Sequence, residues 1–191
     1  RWQTHQCQDL CKEVKFVKVL SPQQLSVELK EWSRSIIEQK TLLCNGLPVC
    51  PYARKCWEEK RVIIESGCEQ DWTDLVDRVF ETDWKKCDVL IYCDFNLDVS
   101  CETMNLFLAK RNLWAMGFHI EHDSKGTIID DDFGPVYDEP YLMVFVQPLD
   151  KLNEASKQLE EQGYYKFWDK DIFYEFVEKR RQIQNEQRKK K

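Results

Sequence analysis

The run "CDVLIYCDF" at residues 87–95 is the feature that most constrains what this chain can fold into. From Val89 to Cys93 apolar side chains occupy consecutive positions. That is the pattern of a central strand, or of one covered on both faces. "YLMVFVQP" at 141–148 has the same character, which predicts a second buried strand. Shorter pieces read as strands too: "EVKFVKVL" at 13–20, "KRVIIES" at 60–66 closed by Gly67, and the alternating "FHIEHD" at 118–123.

Helical periodicity fills the intervals. Ser21 and Pro22 open a helix as cap and first residue. Leu25, Leu29, Trp32 and Ile36 fall at helical spacing, and Asn45-Gly46 is expected to end the helix. A second helix is expected over 71–86, with Trp72, Leu75, Val79 and Phe80 on one side. A third spans 98–117, capped by Asp98 or Ser100 and stopped by Gly117. Two more follow at 149–164 and 170–190; the inner face of the last is Ile172, Phe173, Phe176, Val177 and Arg180. The acidic stretch 124–140, interrupted by Gly and Pro, reads as a long loop with a short extended piece at Thr127–Ile129.

This alternation predicts an α+β fold: a ferredoxin-like sheet of four or five strands, helices packed on one face, and additional terminal helices. The expected organisation is an N-terminal arm at 1–12, a single α/β domain at 13–182 and a basic C-terminal tail at 183–191.

Composition narrows the function classes. A chain of 191 residues with 42% hydrophobic and 32% charged residues is globular. The net charge of -6 disfavours nucleic acid, and the basic end "EKRRQIQNEQRKKK" reads as cations at a helix C-terminus. No stretch reaches the roughly 18 apolar residues needed to cross a bilayer, and "RWQTHQCQDL" lacks a signal-peptide core. The nine cysteines are odd in number and several sit in apolar runs. They read as reduced, small hydrophobes, which places the protein in the cytoplasm.

"LLCNGLPVCPYARKCW" at 42–57 carries the main chemical question. Cys44, Cys50 and Cys56 are each six residues apart, a poor spacing for structural zinc. If metal is bound, the ligands would be Cys44, Cys50, Cys56 and His119; the sequence requires no cofactor. Pro51 suits the first position of a helix, which would make Cys50 its N-cap. The helix dipole, with Arg54 one turn in, is then expected to lower the thiol's pKa. His119 and Glu121 share one face of the expected strand 118–123, so a carboxylate could orient an imidazole base. Cys50, Arg54, His119 and Glu121 are therefore the candidate catalytic set. The acidic cluster Asp130, Asp131, Asp132, Asp138 and Glu139 reads as a solvated loop.

The residues Gly46, Leu47, Cys50, Pro51, Tyr52 and Ala53, with Phe118-His119 near the middle, resemble a bacterial family catalogued as domain of unknown function 1415. That family carries a Gly-Leu-Asn-Leu-Cys-Pro-Phe-Ala type motif after its first helix. Here Pro48 replaces the motif's Asn, Asn45 precedes the Gly, and Cys44 and Cys56 are added. The resemblance spans 25–182 and implies no established activity. The sequence thus supports a cytoplasmic α/β protein with a reactive thiol at Cys50. Its alternatives are a non-enzymatic interaction or structural module docking on a protein partner, and a Cys/His metal-binding protein.

Overall fold

The computed structural model describes residues 22–67, 72–94, 101–118 and 142–189. The expected strand 13–20 and the loop 124–140 lie outside them, as do His119 and Glu121 of the strand expected at 118–123.

Helix α1 is Pro22–Trp32, extended by a wider π-turn over Ser33–Ile37. The short helix α2 is Ala53–Glu58, and strand β1 is Val62–Gly67. Helix α3 (Trp72–Glu81), strand β2 (Val89–Asp94) and helix α4 (Cys101–Leu108) follow. A 3-10 turn at Ala109–Arg111 leads into β3, Leu113–Phe118. Strand β4 (Leu142–Pro148) runs directly into α5, Leu149–Glu161. The C-terminal helical rod is α6 (Lys170–Phe173), a π-turn at Tyr174–Glu178 and α7 (Lys179–Lys189).

The strands form one mixed sheet in the order β1-β2-β4-β3. β1 runs parallel to β2, with Ile63 opposite Leu90. β4 is antiparallel to both neighbours, with Val144 opposite Tyr92 and Val146 opposite Ala115. This is an α+β fold with both hydrophobic runs at its centre, as their continuous apolar character implied.

The helices are not confined to one face. Leu90, Tyr92, Leu113, Ala115, Val144 and Val146 pack against Leu75 and Val79 of α3 and Met104 and Leu108 of α4. The alternate residues Val89, Ile91, Cys93, Met143 and Phe145 pack on the opposite face against Leu25, Leu29 and Trp32 of α1. Further along that face, Trp114 meets Leu149 of α5, with Met116 and Ile183 of α7 beside them. A strand that is apolar at every position must be covered twice, and each fully buried aliphatic side chain contributes about 1.5–3 kcal/mol.

Three element boundaries differ from the sequence-based expectation. The first helix ends at Ile37 instead of reaching Asn45-Gly46. Residues 38–50 fold back on themselves: Lys40 bridges Pro48, and the Gly46 N–H donates to the Thr41 carbonyl at 2.8 Å. Asn45 and Gly46 both take positive φ, so they turn this loop rather than cap a helix. The helix expected at 98–117 stops at Leu108, and "LWAMGF" is strand β3. Asn112 breaks the helix in a left-handed conformation with φ 61°, and pairing with β4 outweighs the local helical pattern. Helix α2 begins at Ala53, two residues later than Pro51 predicted, and no side chain caps it.

Cys44, Leu159 and Tyr164 form a smaller cluster that pins the 38–50 loop to the end of α5, with Leu47, Tyr52, Tyr165 and Trp168 packed against it. At the C-terminus, Gln184 is buried and Ile183 packed, so helical packing continues past residue 182.

Candidate functional site

Two regions hold the residues with chemical potential. The first is the turn around Cys50. The Cys50 N–H donates to the Ile37 carbonyl at the end of the π-turn (2.7 Å), and the Val49 N–H to Gln39 (3.2 Å). The fold-back loop and the end of α1 are thereby tied together. The backbone N–H groups of Tyr52 and Ala53 act to lower the Cys50 thiol's pKa, as the sequence led one to expect, and the Ala53 N–H donates to the Cys50 carbonyl at 3.2 Å.

Burial outweighs those two donors. It pushes the Cys50 thiol above its ordinary value, and the negative charge of Glu38 adds to the rise. The expected lowering of this pKa is therefore reversed. Arg54 does not correct the balance, because its Nε donates to the Glu38 carboxylate at 3.0 Å. That carboxylate side chain is 7% exposed while the Arg54 side chain is 69% exposed. Glu38 is held from its other side as well: Ser33 Oγ donates to it at 3.0 Å, and Trp57 Nε1 donates to Ser33 Oγ at 2.9 Å. The cation meant to activate the thiol is spent on an inward-turned carboxylate.

Cys44 and Cys56 are not partners in a shared donor set. Cys44 is buried in the Tyr164 cluster, where burial raises its thiol and the neighbouring Tyr164 and Trp168 side chains offset part of the rise. Tyr164 donates its hydroxyl proton to the Val49 carbonyl. Cys56 packs with the α1 side of the sheet and is pushed up to about 11, first by burial and then by the charges of Asp88 and Cys50. Among the described residues, no three His, Cys, Asp or Glu side chains converge as a metal site. His119 and Glu121 lie outside the described residues, so the expected Cys50–His119 approach has no geometry here.

Sequence reasoning missed Glu38, Ser33 and Trp57. They sit across a turn of the chain from Cys50, and no spacing rule links them to it. It found Arg180 on the inner face of the last helix, but not its role. Buried Arg180 donates to Asn153 Oδ1 (2.9 Å), to Ser156 Oγ and to the Phe176 carbonyl. Asn153 in turn donates to Gln184 at 3.1 Å. The guanidinium thus joins α5 to α7 through neutral acceptors, and burial lowers its pKa to about 10.

The second region is the outer side of α4 and the end of α3. Met104, Asn105 and Leu108 turn inward from α4, so helical geometry turns Leu106 and Phe107 outward. Phe80, Leu106 and Phe107 are 43%, 61% and 48% exposed. Arg111 lies over the Phe80 ring with its guanidinium carbon 5.0 Å from the centroid, and the Lys110 ammonium is 5.8 Å from that of Phe107. Such contacts hold a cation beside an aromatic face in water.

No helix among the described residues is long and apolar enough to cross a membrane. Compared with protein-family models, with curated proteins and with solved structures, the chain matches none of them.

Proposed function

We propose that this chain is a non-enzymatic interaction module that docks a protein partner on the outer side of α4 and the end of α3. The observation that carries the reading is the exposure of Phe80 at the end of α3 and of Leu106 and Phe107 on α4. Contiguous apolar side chains left in water mark a binding surface more often than isolated ones do. The cysteines support the same reading from the other side: burial raises the thiols of Cys44, Cys50, Cys56, Cys87 and Cys101. Nucleophilic catalysis needs the thiolate, and these sites do not favour it at neutral pH. The six described cysteines are free, which suits a reducing compartment such as the cytoplasm. Kinship with the bacterial family that shares the Gly46–Ala53 motif is part of this proposal and assigns no activity to it.

A reactive thiol at Cys50 is the second reading, favoured by the lowering effect of the Tyr52 and Ala53 backbone N–H groups on its thiol. One experiment separates the two. A benzoylphenylalanine cross-linker is placed at Leu106 and, as a control, at exposed Lys157 on α5, and irradiated in extract of the native cells. Docking gives a discrete adduct at Leu106, identified by mass spectrometry, and none at Lys157. Equal or absent adducts, together with selective alkylation of Cys50 near pH 7, would give the lead to the thiol site.

A further inference from the structure

The outer side of α4 carries a pattern that fits itself. From Glu102 to Arg111 the exposed residues are Glu102, Thr103, Leu106, Phe107, Lys110 and Arg111. The remaining residues, Met104, Asn105, Leu108 and Ala109, are buried. The exposed set is symmetric about the point between Leu106 and Phe107. Turned end for end, the stripe lays Leu106 on Phe107, Thr103 on Lys110 and Glu102 on Arg111. Its chemistry follows the same symmetry, with apolar residues at the centre, an acid at one end and two cations at the other. Exposed Asp77 and Glu81 of α3 add further acids, so the face carries both signs. Such a face suits no partner of a single charge. It suits a two-fold interface, in which the same patch meets itself and every residue occurs on both sides.

We infer that the occupant of this face is a second copy of the chain: α4 packs antiparallel on α4 of the other copy, about a two-fold axis between Leu106 and Phe107, and Glu102 of each copy meets Arg111 of the other. The inference rests on the docking reading and names the partner for it. At a rise of about 1.5 Å per residue, Glu102 and Arg111 each lie about 7 Å along the helix from that axis. Long side chains span the gap at that distance whether the helices cross at about 20° or about 50°. Glu102 already accepts from Lys179 Nζ at 2.9 Å. Its side chain is still 74% exposed and Lys179 also holds Glu175, so the carboxylate has room for a second donor. The Arg111 guanidinium, held over the Phe80 ring, offers a planar fork that matches a carboxylate. The apolar centre is small, so the pairing should be weak and reversible.

The test is analytical ultracentrifugation of the whole purified chain under reducing conditions. A monomer–dimer equilibrium is expected, with a Kd on the order of 50 μM. Leu106→Asp should weaken it at least about tenfold. Lys157→Glu, away from the face, should change it less than about twofold. Charge exchange then tests the two-fold geometry. Glu102→Arg and Arg111→Glu, made singly, each put like charges together at both symmetric contacts and should weaken self-association at least about tenfold. Mixed in equal amounts, with one of the two fluorescently labelled, they bring opposite charges together at both contacts. The mixture should form a heterodimer within about threefold of the parent Kd. All the substituted side chains are exposed, and an unchanged urea midpoint verifies that each variant folds. A chain that stays monomeric up to about 500 μM overturns the inference. So does a dimer that survives Leu106→Asp, or a mixture of the charge variants that associates no better than either alone. A Leu106 cross-link to a different protein, from a chain that is monomeric when pure, discards only the second copy as the occupant. Loss of both the cross-link and the dimer discards the docking face.

Discussion

The Cys50 turn and the Phe107 face contrast in how the fold treats groups that could do chemistry. At Cys50 a thiol, a carboxylate, an arginine and a tryptophan N–H come within a few residues of one another, yet they satisfy each other or are shut in. At Phe107 an exposed ring and two aliphatic-stemmed cations face water. Residue type alone points to the first region. Exposure points to the second. What a region can do depends less on which groups assemble than on whether they stay exposed.

Helix α4 allows that contrast to be broken on a single element. Met104 and Leu108 are fully buried beneath it, while Leu106 and Phe107 face outward. Leu108→Ala should lower unfolding stability by about 2–5 kcal/mol, whereas Phe107→Ala should change it by no more than about 0.5 kcal/mol. Urea unfolding checks both. Equal losses would mean that Phe107 is packed and would count against the docking face.

Asn105, on the same helix, gives the next largest effect. Its amide takes both main-chain groups of Ala115: Nδ2 donates to the carbonyl at 2.9 Å, and Oδ1 accepts from the N–H at 2.7 Å. Asn105→Ala strands both groups, and the cost should be about 1–3 kcal/mol by the same measurement. A smaller loss would mean that water replaces the side chain there.

A third effect comes from acid. Arg61, by hydrogen bonding, and Lys151 hold Asp88 down to about 2. A carboxyl whose pKa is depressed on folding adds stability above its unfolded value near 4, and loses it as pH falls toward the folded value. Stability should therefore drop between about pH 4 and pH 2 by on the order of 1 kcal/mol more in the parent than in Asp88→Asn. Identical acid profiles for the two proteins would show that the cluster contributes nothing.

The smallest effects sharpen the Cys50 side. Iodoacetamide should label Cys50 more slowly than a free thiol at pH 7 and faster as pH rises. Glu38→Gln should speed labelling, since the nearby negative charge opposes the thiolate. Arg54→Ala should alter the rate by less than about twofold, because its charge is already engaged. A large slowing in Arg54→Ala would restore the arginine as an activator.

Much of the fold was legible because it follows from burial. The consecutive apolar residues of β2 and β4 and the Gly163 stop after α5 read directly from the sequence, and Gly163 does take φ 75°. The run at 87–95 already carried the signature of cover on two sides, so placing the helices on one face gave it too little weight. β3 was hidden because "NLWAMG" fits a helix equally well; its state is set by β4, a distant segment, and by an asparagine seven residues earlier than Asn112. At the site, Cys50 and Arg54 were legible as residue types. The decisive partner, Glu38, was not, because only the π-turn and the fold-back loop bring it alongside.

The pairing of Asn105 with Ala115 has a consequence for how copies of this protein meet. Among the described strands β3 is an edge of the sheet, with β4 on one side only. An unguarded edge invites another chain to add a strand, and that route leads to swapping and fibrils. The Asn105 amide mimics a neighbouring peptide unit at the middle of that edge and occupies the position an intruding strand would need. Among the described residues one side chain thus guards this edge, and its loss would open it to aggregation before it affected anything the outer helical face does.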